Sequence, residues 1–230
     1  MTYNIDEIKS WFEGCAPLNN LSNEDFGEET EECYEIIDFL REAMNFRCPW
    51  NYGATKLVLA PHNKDYVIKI PFKYEYVNDD EPYCGAYKIG LNEQELNFGW
   101  DYCGLEEALY QKAKERGIEK LFAETKCIGE YLGHPIYIQE KCTIFNYSKD
   151  YSNYSLAKRK RSEKLCNDND FPCFHSCWLS DVLDYYETEH EFIELNKFIK
   201  DFDIRDLHSG NVGYKADGCP VLVDYSDFNS

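Results

Sequence analysis

The stretch DIRDLHSGNVGY, residues 203–214, decides how this sequence is interpreted. It places Asp206 five positions before Asn211, and Asp224 follows after a pair of short apolar strands that the pattern predicts. Mg²⁺ takes hard oxygen ligands, and phosphoryl transfer needs both such a metal and a residue that orients the acceptor. By themselves, Asp206 and Asn211 could equally be ordinary turn residues. The surrounding order of apolar helix, polar loop and two strands favours a metal-binding catalytic site over a simple turn.

This order of residues resembles the catalytic loop of the protein-kinase-like superfamily. The wording LHSGN at 207–211 is most similar to that of aminoglycoside and choline phosphotransferases. The resemblance implies that Asp206 orients or deprotonates the acceptor hydroxyl and that Asn211 and Asp224 hold the metal ions. It also implies that His208 lies at the nucleotide.

An upstream hairpin carries a second part of the resemblance. Residues 56–59 and 66–70 read as two strands around a turn at 61–65, and Lys69 lies in the second strand. Its position resembles that of the family's phosphate-binding lysine. The alternative is a solvated strand lysine, since lysines are mostly exposed.

A helix predicted over 104–116 supplies the carboxylate that pairs with this lysine in the family. Both Glu106 and Glu107 are candidates. Leu109 and Ala113 follow Glu106 at helical spacing, which gives Glu106 a place on the buried face, whereas mainly polar residues follow Glu107 at the same spacing. We therefore expect Glu106 to form the ion pair.

The nucleotide contacts are also implied by the resemblance. A strand at 136–140 runs into the segment from Gln139 through Glu140 to Cys142, whose backbone would face the adenine. Gly53 would belong to the loop that covers the phosphates, and Lys56 would add positive charge there.

The predicted fold class is α+β, a protein-kinase-like two-lobe fold with a small antiparallel sheet and a strongly shortened helical C-terminal lobe. The predicted regions are an acidic helical N-terminal extension at 1–47, a strand-rich ATP-binding lobe at 48–142 and a minimal catalytic lobe at 143–230. Within them we predict a long loop at 73–100, strands at 124–129, 212–215 and 220–223, and a helix at 187–200.

Three features depart from the family pattern. The phosphate-covering loop has one glycine, Gly53, instead of a glycine-rich run, and Ile204 stands where the family often has histidine. The sequence ends six residues after Asp224, so we expect no activation segment or peptide-docking helices.

Composition limits the partners. The formal net charge is −19, which disfavours binding to nucleic acid. A highly charged surface is interpreted first as a source of solubility, with a basic partner protein as the alternative. Hydrophobic residues make up 43%, enough for a core, and no apolar run is long enough to cross a membrane. The start of the chain does not resemble a secretory signal, and with 11 cysteines we expect reduced thiols and a cytoplasmic protein.

Two local clusters have alternative interpretations. Cys166, Cys173, His175 and Cys177 are zinc-ligand types, but they lack a tight CxxC pair, so we expect no structural zinc. The basic run 158–161 is interpreted as a solvated loop, with binding of an acidic substrate or a nuclear address as alternatives.

Together these features predict an ATP- and Mg²⁺-dependent phosphotransferase that acts on a hydroxyl of a protein Ser/Thr or of a small molecule. The alternative is a catalytically silent kinase-like acidic protein that antagonises a partner. Compact, acidic chains of this kind resemble viral or phage proteins.

Overall fold

A computed structural model describes most of the chain. The described residues are 1–15, 31–44, 49–53, 55–72, 89–91, 94–96, 101–131, 133–146, 151–171, 177–204 and 207–225. They form a mixed α+β structure with antiparallel strands, as the composition and periodicity predict. No helix among them is long and apolar enough to cross a lipid bilayer.

The chain divides into two compact units. We call Met1–Glu107 together with Thr125–Lys141 the sheet unit, and Ala108–Glu124 together with Cys142–Ser230 the helix unit. The chain passes between them three times, once within a single helix, so neither unit is one continuous segment.

The sheet unit contains a five-stranded antiparallel sheet in the order β1-β2-β3-β7-β6. Its strands are β1 (Trp50–Tyr52), β2 (Lys56–Leu59), β3 (Tyr66–Pro71), β6 (Thr125–Tyr131) and β7 (His134–Glu140). A separate hairpin pairs β4 (Ile89–Leu91) with β5 (Gln94–Leu96). The prediction of a continuous loop over 73–100 is therefore wrong at these residues, because strands of three residues are too short to show a periodic pattern.

One face of the sheet is apolar and packs against α1 (Ile5–Phe12) and α2 (Glu31–Ala43). The Asn4 side chain caps α1 by accepting hydrogen bonds from the backbone N–H groups of Asp6 and Glu7. Since successive strand residues point to opposite faces, Ile68 and Ile70 lie on this apolar face and Lys69 lies on the other. The core residues of the two helices and the apolar face include Ile8, Phe12, Ile36, Ile37, Leu40, Leu57, Leu59, Ile68, Ile70, Ile136 and Ile138.

The N-terminal helices are thus part of the core of the sheet unit. The helix predicted over 104–116 is α3 (Tyr102–Glu115), whose last residues belong to the helix unit.

The described residues of the helix unit form three further helices and a three-stranded sheet in the order β10-β9-β8. The helices are α4 (Leu156–Asn169), α5 (Cys177–Tyr186) and α6 (His190–Asp201), and the strands are β8 (Thr143–Ile144), β9 (Val212–Tyr214) and β10 (Pro220–Leu222). The predicted helix at 187–200 and the final strand pair are confirmed to within a few residues.

The basic run 158–161 lies inside α4, so its interpretation as a loop is wrong. Lys158 contacts Asp184 of α5 at 2.7 Å, and Arg161 contacts the same carboxylate at 3.0 Å. The Ser155 side chain caps the helix start. Helix α4 is stabilised by capping and by these contacts with α5, and its buried residues are Ser162 and Cys166. The helix therefore lacks the periodic pattern of apolar residues from which a helix is predicted.

Gly213 marks a close approach of two strands of the helix unit. A Cβ atom at this position would lie 2.5 Å from the backbone oxygen of Thr143 in β8. The carbonyl of Gly213 also accepts a hydrogen bond of 3.2 Å from the indole of Trp178. Strand β9 is therefore held between β8 and α5 at a residue that has no side chain.

An ion pair of the helix unit provides a test of pH dependence. Lys120 Nζ lies 2.9 Å from Glu191 Oε1, and Thr188 donates a 2.7 Å hydrogen bond to the other carboxylate oxygen. Burial acts to raise the pKa of Glu191, but the hydrogen bonds from Lys120 and Thr188 outweigh it and lower the pKa from 4.5 to about 2. The ionised form is thus the one that stabilises the fold.

We predict that Glu191→Gln lowers the free energy of unfolding at pH 7 by about 1 kcal/mol, a modest value because Lys120 is half exposed. Since the folded-state pKa lies below the unfolded one, the wild-type advantage is complete above pH 5 and shrinks as the pH falls toward 2. Urea denaturation of both proteins between pH 7 and pH 3 measures this. A difference that stays constant over that range would contradict the assignment.

Candidate functional site

The carboxylate of Glu106 is the centre of a polar cluster in the sheet unit. Helix α3 begins after Asp101, whose side chain accepts a 2.8 Å hydrogen bond from the backbone N–H of Gly104. Leu105 and Leu109 are buried on the same side of the helix, and Glu106 itself is 0% exposed. A carboxylate that is fully removed from water requires charged or hydrogen-bonding partners.

Lys69 of β3 is the first partner. Its Nζ lies 2.8 Å from Oε2 and 3.0 Å from Oε1 of Glu106, and the lysine is 3% exposed. The predicted ion pair is confirmed, as is the choice of Glu106 over Glu107. Glu107 is only partly buried. Burial raises the pKa of its carboxyl, and a hydrogen bond with the backbone of Cys127 offsets only part of this rise.

Lys56 of β2 is a second lysine on the same carboxylate. Its Nζ lies 2.7 Å from Glu106 Oε1, and the residue is 2% exposed. In the ladder Lys56 is opposite Pro71, two residues from Lys69, so both lysines lie on one face of the sheet. The predicted strand at 56–59 is confirmed for Lys56, whose expected role was to add positive charge at the phosphates. Its contact with Glu106 was not predicted.

Two neutral side chains also donate hydrogen bonds to Glu106. Gln139 of β7 donates from Nε2 to Glu106 Oε2 at 3.2 Å, and Thr125 of β6 donates to the same oxygen at 3.3 Å. Gln139 and Thr125 are directly opposite each other in the ladder, and both are 0% exposed. Sequence analysis expected only the backbone of Gln139 to contribute.

Four consecutive strands therefore each supply one donor to Glu106. Among the described residues these four side chains make five hydrogen bonds to the two carboxylate oxygens. Hydrogen bonds to a buried charge are among the strong ones in proteins. The cluster fixes α3 to the polar face of the sheet and places two ammonium groups side by side.

A second acidic group lies close to this cluster. Asp101 accepts a 2.5 Å hydrogen bond from the Tyr137 hydroxyl, and burial raises the pKa of its carboxyl. Gly104 lies against this contact, because a Cβ there would be 2.7 Å from Asp101 Oδ2 and 2.9 Å from the Tyr137 hydroxyl oxygen. Burial also raises the pKa of the neighbouring Cys103 thiol. The thiol therefore stays protonated at neutral pH, and a protonated thiol is a weak nucleophile.

The remaining nucleotide-contact candidates are less buried. Gly53 is exposed, and its N–H donates to the carbonyl of Lys56 at 3.0 Å, which closes the turn before β2. Glu140 ends β7 opposite Tyr66, and Cys142 is partly buried at the start of a segment of the helix unit. Their roles toward a nucleotide stay predictions.

The polar loop of the helix unit has its own geometry. Residues Ser209–Asn211 form one turn of 3-10 helix, and His208 Nδ1 accepts a 2.9 Å hydrogen bond from the N–H of Gly210. The carbonyl of Asn211 accepts from the N–H groups of Val223 at 2.8 Å and Asp224 at 3.4 Å. Asn211 and Asp224, which lie far apart in sequence, are thus brought together at their backbones.

These two side chains carry the oxygen ligands that Mg²⁺ prefers. Asp206, the predicted catalytic residue, lies outside the described residues. Within the described part of the chain, no group of three or more His, Cys, Asp or Glu side chains is arranged to hold a metal. Of the four zinc-type residues, Cys173 and His175 lie outside the described part, and Cys166 and Cys177 are buried.

Comparison with known proteins gives no relative. No protein-family model matches the chain, and no curated protein matches it. The function must therefore be inferred from the residues and their geometry.

The Glu106 cluster makes a prediction about stability. Glu106→Ala would leave two buried lysines without this counter-charge, so we expect it to lower the free energy of unfolding by about 3–5 kcal/mol. Glu107→Ala, at the next position of the same helix, should cost about 1 kcal/mol or less. Urea denaturation followed by circular dichroism measures both.

A triple variant, Lys56→Met with Lys69→Met and Glu106→Leu, serves as the control. It replaces all three charges by apolar groups of similar size, so it should recover much of the loss. Equal, small effects of Glu106→Ala and Glu107→Ala would show that the cluster contributes little to the fold.

Proposed function

We propose that this protein is a Mg-ATP-dependent phosphotransferase of protein-kinase-like architecture, which moves the γ-phosphoryl group to a hydroxyl of a protein or a small molecule. The observation that carries the proposal is the buried ion pair between Lys69 on a sheet strand and Glu106 on the following helix. In phosphoryl transfer the enzyme contributes mainly positioning and electrostatic stabilisation. A lysine held by two hydrogen bonds to one carboxylate is suited to that task.

The architecture supports the proposal in each unit separately. The sheet unit has a five-stranded antiparallel sheet with the lysine on its middle strand and the glutamate on α3. The helix unit has the polar loop before the last strand pair and an aspartate after it. A kinase-like arrangement of the two units as two lobes is part of this proposal.

Asn211 and Asp224 would hold the metal. Bound there, Mg²⁺ would supply positive charge for the phosphate oxygens. Asn211 is 6% exposed, and its backbone contact with Asp224 ties the two candidate ligands to each other. Asp206 would orient the acceptor hydroxyl, a role that rests on its sequence position five residues before Asn211.

A second candidate function is a kinase-like acidic protein that binds a basic partner and transfers no phosphate. Two observations favour it. The net charge is −19, and the loop before β2 contains a single glycine, Gly53, while the Lys56 ammonium contacts Glu106. A loop with few glycines provides fewer backbone N–H groups that can approach phosphates closely.

Two substitutions separate these functions. If the chain is a phosphotransferase, Asp206→Ala should leave nucleotide affinity nearly unchanged and slow transfer by about 10²–10⁴-fold, the usual contribution of a positioned acid–base group. Asp224→Ala should weaken Mg²⁺-dependent nucleotide binding as well as transfer, because it removes a metal ligand. The measurements are thermal shift with ATP and Mg²⁺ and transfer of labelled γ-phosphate to lysate proteins and small molecules.

Asp168→Ala is the matched control, since it removes an exposed carboxylate of the same unit that belongs to neither site. Wild-type transfer that Asp206→Ala does not slow would refute the catalytic role of Asp206. The silent function would replace the proposed one if the wild type transfers nothing and both aspartate variants still bind a basic partner.

A further inference from the structure

Gln139 donates two hydrogen bonds beside the ion pair between Lys69 and Glu106. Its Nε2 donates to Glu106 Oε2 at 3.2 Å and to Thr125 Oγ1 at 2.8 Å. The amide nitrogen has two protons, so both bonds are made with one orientation of the side chain. The Thr125 hydroxyl accepts from Gln139 and donates its own proton to Glu106 Oε2 at 3.3 Å.

These two residues hold one of the two oxygens of the Glu106 carboxylate. The terminal torsion of a glutamate side chain is broad, so a carboxylate can rotate unless donors hold both of its oxygens. Of the two Glu106 oxygens, Lys56 contacts Oε1 and Lys69 contacts both. Gln139 and Thr125 both donate to Oε2, and therefore oppose rotation of the carboxylate toward Lys56.

The position of these donors is fixed by the sheet. Gln139 and Thr125 are directly opposite each other on β7 and β6, and Val67, two residues before Lys69, is opposite Gln139. All of these strands are consecutive in the sheet. The neutral pair is thus a rigid support on the side of Glu106 that faces away from Lys56.

We propose that Gln139 is a positioning residue for the phosphate-binding lysine. Together with Thr125 it fixes the Glu106 carboxylate, and through it the Lys69 ammonium, in the geometry that binds the phosphates of a nucleotide. This role rests on the proposed phosphotransferase function and deepens it, because displacements of about 1 Å at such a group are enough to reduce catalysis strongly.

The test uses the full chain with Gln139→Met, which keeps the length of the side chain and removes the amide. Thr125→Val removes the hydroxyl at constant shape, and Thr125→Ser restores it. We expect the affinity for Mg-ATP to fall about tenfold in Gln139→Met and about threefold in Thr125→Val, in line with buried hydrogen bonds to a charged group. Thr125→Ser should return to the wild-type value.

A second measurement does not depend on a nucleotide. A ¹H–¹⁵N spectrum selective for lysine ammonium groups reports Lys69 directly, since buried, hydrogen-bonded ammonium protons exchange slowly. The signal is assigned with Lys69→Met. It should shift in Gln139→Met and Thr125→Val and should return in Thr125→Ser.

The outcomes are distinct. If the wild type binds no nucleotide but the Lys69 signal responds as expected, the phosphotransferase function fails and the control of Lys69 by Gln139 stands. If the wild type binds nucleotide and neither affinity nor the Lys69 signal changes in Gln139→Met, the positioning role is overturned. A lower melting temperature with unchanged affinity and signal would also overturn it, because Gln139 would then be structural only.

Discussion

The fully buried carboxylate of Glu106 is the constraint on which the sheet unit depends. Each of four consecutive strands, β2, β3, β7 and β6, directs one side chain to it. Such a group is costly to bury, and only a complete set of partners makes it acceptable. Because the partners come from different strands, α3 can dock correctly only when these four strands have their native register. The opposite, apolar face adds stability, but apolar contacts alone specify register less strictly than this polar set does.

Sequence analysis could predict the parts of this site that depend on local periodicity. Alternation placed Lys69 in a strand, and helical spacing separated Glu106 from Glu107. It could not predict that Lys56, Thr125 and Gln139 converge on the same carboxylate. That convergence depends on the pairing of Lys69 with Tyr137, which joins segments far apart in the chain, and on the register of the β6–β7 hairpin, which places Thr125 opposite Gln139. A shift of the strand register by one residue would move each side chain to the other face of the sheet. The residues around Glu106 could therefore be named only once the register was known.

The electrostatics of the molecule differ between its surface and its interior. The chain carries a net charge of −19, yet the Glu106 cluster contains two lysines and one carboxylate. In α4 the local charges are basic, and Lys158 and Arg161 form ion pairs with the carboxylate of Asp184. Neither local balance could be read from composition, because net charge describes how the whole molecule is attracted or repelled and says little about a single site.

The absence of a side chain at Gly213 has a consequence for how this protein can vary. The backbone oxygen of Thr143 lies only 2.5 Å from the position that a Cβ would take, so even alanine would push β8 away from β9. Strand β9 begins immediately after Asn211, and the N–H of Phe145, just past β8, donates to the carbonyl of Val212 at 2.9 Å. A methyl group would therefore disturb the backbone at the asparagine without touching its side chain. The distance between β8 and β9 should therefore decide which substitutions β9 tolerates. Selection that acts only on the turn at Asn211 would also preserve Gly213.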